Sequence, residues 1–299
     1  MMAAMTPATM TKLDRHDDET VNRRETVPFA LVHLAPLLLI FTGISSTAVG
    51  LFLVTYFGRL FFVTAGYHRY FSHKSYKLNR FWQFVFAFGA ESTAQKGVLW
   101  WASHHREHHQ FSDTDLDIHS PRKGFWWSHV GWILCDKYKA YDSDRIRDFE
   151  RFPEIRWINR HDLLPPTLLG IACFLIGGWS GLVFGFFTST VLLWHTTFLV
   201  NSVAHVFGRR RYATTDTSRN SLLIALLTWG EGWHNNHHRY QASCRQGFYW
   251  YEVDLTWYGL KALGWIGIVK DMKRPPARVL DAGRAGIGPV EDAPEAEAA

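Results

Sequence analysis

The chain has 299 residues, enough for one large domain or two ordinary ones. It carries a formal charge of +5, and 16% of it is aromatic, including 14 Trp and 22 Phe. A mean hydropathy of −0.12 excludes a mostly transmembrane chain, while the weight of aromatics suits a polar protein seated at a bilayer interface. Cys135, Cys173 and Cys244 form no CxxC pair, which excludes a cysteine metal site and fits a reducing compartment. The basic balance accompanies apolar stretches, so it points to anionic lipid head groups and not to nucleic acid.

In chain order, residues 1–26 are polar and lack a secretory pattern, and they read as a cytoplasmic segment. From 27 to 67 the only formal charge is Arg59. A crossing takes about 20 apolar residues, so this stretch holds two, with a turn near Thr42-Gly43-Ile44-Ser45-Ser46. Arg59 either faces the bundle or a polar cavity, or marks where the second helix leaves the lipid. Residues 68–162 are the first part of a polar cap, and 163–208 form a second apolar hairpin turning at Gly177-Gly178-Trp179-Ser180-Gly181. Residues 209–280 are the second part of the cap, and 281–299 read as a disordered tail. The runs Phe81–Ala90, Phe125–Cys135 and Trp257–Val269 are too short or interrupted to span, and read as cap or membrane-surface helices.

Both hairpin turns lack Lys and Arg, whereas the flanks are rich in them (Arg23, Arg24, Arg156, Arg160, Arg209 to Arg211). The positive-inside rule places termini and cap in the cytoplasm. The expected architecture is therefore all-α and integral to the cytoplasmic (inner) membrane, with four transmembrane helices and a cytoplasmic helical cap.

The 16 histidines are grouped. Positions three and four apart share a helix face, as do His105, His108 and His109, and again His234, His237 and His238. Asn201 and His205 are four apart near the exit of the fourth apolar segment. His68 and His73, five apart, do not share an α-helical face. Nine such histidines exceed what one ion uses, so the count suggests two ions, with Asn201 as a direct or water-mediated tenth ligand; imidazole suits iron, zinc, copper or nickel. Glu107, Glu231 and Asp113 to Asp117 are candidates for orienting the rings. His16, His33, His119, His129, His161 and His195 read as ordinary packing or surface histidines. Trp100, Trp101, Trp126, Trp127 and Phe198 are candidates for lining a substrate path. A metal transporter would need ligands deep in its spans, and a plain lipid-binding protein leaves the histidines unexplained.

At Gly66-Tyr67-His68-Arg69-Tyr70-Phe71-Ser72-His73, His105-Arg106-Glu107-His108-His109, Asn201 to His205 and Gly230 to His238 the chain resembles the membrane fatty-acid desaturases of the stearoyl-CoA desaturase type. The resemblance runs over roughly Val27 to Val269. It implies two iron (Fe2+) ions held by His68, His73, His105, His108, His109, His205, His234, His237 and His238, with Asn201 holding a metal-bound water. It also implies a bent tunnel for the acyl chain. The implied reaction places a cis double bond, Δ9 by family habit, using dioxygen and two external electrons; a di-iron membrane hydroxylase is the neighbouring alternative. An unactivated C–H bond has no acidic proton, so the oxidising power must come from the cofactor. No dinucleotide, flavin or haem motif is present, so a separate electron-transfer protein is expected, either a ferredoxin with its reductase or a small haem protein. Acyl-CoA stands first among the carriers, ahead of phospholipid or acyl carrier protein. Lys96, Lys137 and Arg209 to Arg211 are available as cations, yet Ser103 and His104 occupy the positions where acyl-CoA enzymes of this type carry an Arg-Asp pair.

Overall fold

The computed structural model describes residues 12–286. The first eleven residues of the expected N-terminal segment and residues 287–299 of the expected tail lie outside the described residues. The described residues form helices and no strand, with only isolated bridges such as Lys77 to Lys270. The labelled helices are α1 (Arg23–Leu34), α2 (Ser46–Phe61), α3 (Arg80–Glu91), α4 (Val98–Phe111), α5 (Phe125–His129), α6 (Pro153–Arg160), α7 (Leu164–Ser180), α8 (Ser189–Val203), α9 (Leu222–Leu227), α10 (His234–Arg239), α11 (Leu255–Trp265) and α12 (Ala277–Ala285). Residues 281–285 thus belong to a helix.

Side-chain caps start the helices where the sequence supplies them. Asn22 Oδ1 accepts from Arg24 N at 2.8 Å, Ser45 Oγ from Ala48 N at 3.1 Å and Asn79 Oδ1 from Trp82 N at 2.9 Å. Helix α1 continues through a tight turn to Thr42, and the chain reverses at Gly43 (φ 61°). The run Leu164–Val203 reverses within itself at Gly178 (φ 60°, ψ −153°). Beyond that reversal a Cβ on Gly181 would sit 2.3 Å from the Cys173 carbonyl oxygen, so α7 and the following segment pack closely as a hairpin. The two hairpin tips are tied together, because Ser180 Oγ donates to Gly43 O and accepts from Ser45 N, each at 3.0 Å.

By length and composition the helical runs Ser46–Ser72 and Leu164–Val203, the latter folded back at Gly178, are apolar enough to cross a membrane, and Thr26–Thr42 is a shorter apolar run. Their outward faces carry exposed Leu31, Phe41, Val54, Leu175 and Ile176, an apolar girdle that suits hydrocarbon and not water. Arg59 is buried in the bundle. Its guanidinium donates to Thr55 O (3.0 Å), Thr190 Oγ1 (2.8 Å) and Ser189 Oγ (2.6 Å). Beyond the hairpins, α3, α4, α6 and α11 enclose the main core around Tyr67, Phe71, Phe86, Leu99, Ile158 and Leu260.

Candidate metal centre

Four segments deliver the histidines. Residues Phe62–Ser72 continue α2 as a wide π-helix, in which His73 N donates to His68 O at 3.3 Å. An i→i+5 turn brings residues five apart onto one side, and the His68 and His73 rings lie 4.9 Å apart. The α-helical argument against that pair fails for this reason. Helix α4 presents His105, His108 and His109, α10 presents His234, His237 and His238, and His205 follows α8.

These rings gather as two sets. One holds His68, His73, His105, His109 and His237; the other holds His108, His205, His234 and His238. In the first set Nε2–Nε2 separations are 3.1 Å (His68–His237), 2.9 Å (His237–His109), 3.0 Å (His109–His105) and 2.8 Å (His105–His73). In the second His234 Nε2 is 3.0 Å from both His205 and His238. Each Nε2 can enter one hydrogen bond, as donor or as acceptor. A string of five such atoms therefore makes at most two bonds from its four contacts, and a string of three makes one from two. The convergence is unsatisfiable as hydrogen bonding and fits a shared cation. Burial, then the neighbouring imidazoles, hold His73, His105, His109, His234 and His237 well below the ordinary histidine range, which leaves their lone pairs free.

Four of the nine rings rest their outer nitrogen on a carboxylate. Nδ1 lies 2.5 Å from Glu231 in His68, 3.0 Å from Asp117 in His108, 2.9 Å from Asp113 in His205 and 2.7 Å from Asp216 in His238. An Nδ1–H held this way fixes the tautomer and turns the Nε2 lone pair inward. Burial alone would raise these carboxyls. His108 outweighs it and brings Asp117 down to about 2, and His205 and His238 likewise keep Asp113 and Asp216 below the usual range. Asp216 carries no motif and was not among the sequence candidates. Glu107 and Asp115 were, yet neither carboxylate meets one of the nine rings. Other residues of the histidine motifs tie the surrounding segments together. Asn235 Oδ1 accepts from Arg211 N and Tyr212 N at 2.7 Å, Asn236 Nδ2 donates to Glu252 at 2.8 Å, and Arg69 pairs with Glu231 and Asp254.

Of the histidines expected to be ordinary, His119 stacks on His108 with centroids 4.2 Å apart. His33, His195 and His129 form a string, in which His195 uses Nε2 toward His33 and Nδ1 toward His129, each at 3.0 Å. Because His195 turns different nitrogens to its two neighbours, the three share no common point for a metal.

A cavity of about 350 Å³ adjoins the centre and reaches His105, His119 and Asn201. It follows α8 through Thr190, Trp194, Thr197 and Phe198, and is walled by Trp100 and Trp101. A smaller void of about 40 Å³ places Asn201 beside His68, His105, His108 and His234. Trp126 and Trp127 do not line either space; Trp126 is 72% exposed and Trp127 packs with Ile118 and Trp132.

The family model for fatty acid desaturase matches residues 23–265. The chain is 41% identical over 72% of its length to 68% of an sn-1 stearoyl-lipid 9-desaturase of Synechocystis. It is 37% identical over 90% of its length to 98% of an sn-1 stearoyl-lipid 9-desaturase of Anabaena variabilis. It is also 39% identical over 72% of its length to 68% of an acyl-CoA 5-desaturase of Anemone leveillei. With histidine sets of this geometry beside an apolar cavity, the chain belongs to the fatty acid desaturase family.

Proposed function

We propose that this oxygen-dependent desaturase forms a cis double bond at Δ9 of a stearoyl-type chain carried on a membrane glycerolipid, with two iron ions as its cofactor. The observation that carries this reading is the pair of converging imidazole sets at the head of an apolar cavity. His68, His73, His105, His109 and His237 would hold one ion; His108, His205, His234 and His238 the other, with Asn201 between sets and substrate. Bound there, the ions supply the dioxygen chemistry that removes two hydrogens from adjacent methylenes; dioxygen, two electrons and two protons are consumed and two waters leave with the alkene. The protein's own contribution is positional. Trp101 stacks along His105 with centroids 4.9 Å apart, so the acyl chain is held against the ligand shell while the aromatic walls exclude water.

The sequence ranks acyl-CoA first, but three observations favour the lipid carrier. Two of the relatives named above are stearoyl-lipid enzymes. Lys137 is engaged by Asp18 at 2.8 Å, and Arg211 by Glu252 at 2.8 Å. Ser103, in place of a CoA-holding arginine, is buried and bonds Asp142 O. The proposed setting is four crossing segments, two from each tip-joined hairpin, in the cytoplasmic membrane, with cap and termini inside. Electrons come from a separate ferredoxin-type or small haem protein.

Expression in a host unable to make unsaturated fatty acids, with a compatible electron donor, tests this. New Δ9 cis-monoenes in the glycerolipids, seen by mass spectrometry, are expected. Saturated lipids alone, from protein with iron confirmed, would overturn it.

A further inference from the structure

The run that extends α1 to Thr42 and the end of α7 are joined at the hairpin tips, and the opposite ends of the two helices border one cavity. Near Gly43 and Ser180 they are tied by the tip hydrogen bonds. At their opposite ends the cavity lies between them, bordered by Pro28, Phe29 and Val32 on α1 and by Asp162 and Leu163 at the start of α7. Pro28 is exposed and Leu163 is 70% exposed, so the cavity rim reaches the flank of the bundle. The surface around that rim is apolar and exposed at Val27, Leu31, Leu164 and Leu168. The inner end of the same cavity reaches His105 and Asn201. Apart from histidine, Lys96 and Asp162 are the charged residues bordering it among the described residues, and they are close enough that the Lys96 ammonium partly offsets the rise that burial gives the Asp162 carboxyl. One cation balanced by one carboxylate leaves no excess positive charge for a multiply phosphorylated carrier, but it offers polar groups to an uncharged ester.

We propose that the cleft between α1 and α7 is a lateral doorway through which one acyl chain of an intact glycerolipid passes from the bilayer into the cavity, its ester stopping beside Lys96 and Asp162. This rests on the lipid-carrier reading above. Sideways entry keeps every methylene in apolar surroundings, whereas a route through water would expose the whole chain.

The test uses purified protein, with its electron donor, in vesicles mixing phosphatidylglycerol and phosphatidylethanolamine that carry labelled stearoyl chains; stearoyl-CoA is offered separately. Wild type should desaturate the vesicle lipids. Val32→Trp and Leu163→Trp, which fill the doorway, should each lose about tenfold or more of that turnover while retaining wild-type iron content. Either variant turning over lipid within about twofold of wild type at normal iron content overturns the doorway. Wild type acting on stearoyl-CoA and not on vesicle lipid overturns the carrier reading and the doorway with it. A readout without substitutions comes from photo-crosslinking wild type with diazirine-labelled stearoyl phosphatidylglycerol. Adducts at Pro28 to Val32 and Leu163 are expected, and adducts confined to the cap near Arg209 to Arg211 would refute the proposal.

Discussion

Asp216 Oδ2 lies 2.7 Å from Nδ1 of His238, so a loop carboxylate sets the direction in which a helix-borne imidazole presents its other nitrogen. Asp113, Asp117 and Glu231 do the same for His205, His108 and His68, and three of the four rings supported in this way are in the second set.

Replacing Asp216 should therefore weaken one metal position while sparing the other. Asp216→Ala is expected to lose about 10- to 100-fold in activity, with iron per chain falling from two toward one. Metal analysis of the purified variant checks this, and an unchanged two irons would refute the orienting role.

The two imidazole sets should behave separately. His237→Ala and His205→Ala each abolish product, and each lowers iron content through a different set, without removing the protein from the membrane. Glu107→Gln, whose carboxylate reaches none of the nine rings, keeps both irons and full product. Activity retained in both histidine variants would discredit the ligand assignment.

Glu91 provides a pH prediction. It is fully buried, accepts from Val98 N at 3.0 Å and pairs with no cation among the described residues, so burial pushes its carboxyl up to about 8. Unfolding returns it to the ordinary carboxyl range, so the folded state holds the extra proton between about pH 4.5 and 8 and stability falls as pH rises through that window. Glu91→Gln keeps the shape and removes the proton. Its stabilising effect should be absent near pH 4, grow by up to about 1.4 kcal/mol per pH unit, and level off above pH 8. Thermal unfolding in detergent across that range measures it; a pH-independent difference would refute the buried neutral acid.

Arg59 tests how much a buried guanidinium contributes. Its hydroxyl partners keep other acceptors without it: Ser189 bonds Gly185 O, and Thr190 Oγ1 bonds Phe186 O at 2.7 Å. Arg59→Met should then change stability by no more than about 1 kcal/mol, whereas Arg59→Ala leaves a void and costs about 2–4 kcal/mol. Equal damage from both, by thermal unfolding in the same detergent, would show that the charge itself is required.

Helical spacing of three and four, visible without a structure, was enough to single out His105, His108, His109, His234, His237 and His238, and to pair Asn201 with His205. His68 and His73 escaped the same logic, since a π-helix changes which residues share a side and nothing in the local pattern announces it. His119 reads as an isolated histidine until the chain folds back and stacks it on His108.

By itself, the sequence determined what depends on nearest neighbours along the chain: the apolar runs, the caps and the helical faces that carry imidazole. Only the tertiary structure decided how those faces divide into sets of five and four, which carboxylates stand behind them, and that residues at the starts of α1 and α7 border one cavity. Most of those relationships join residues tens to more than a hundred positions apart, and they are settled by packing between helices, which local periodicity does not encode.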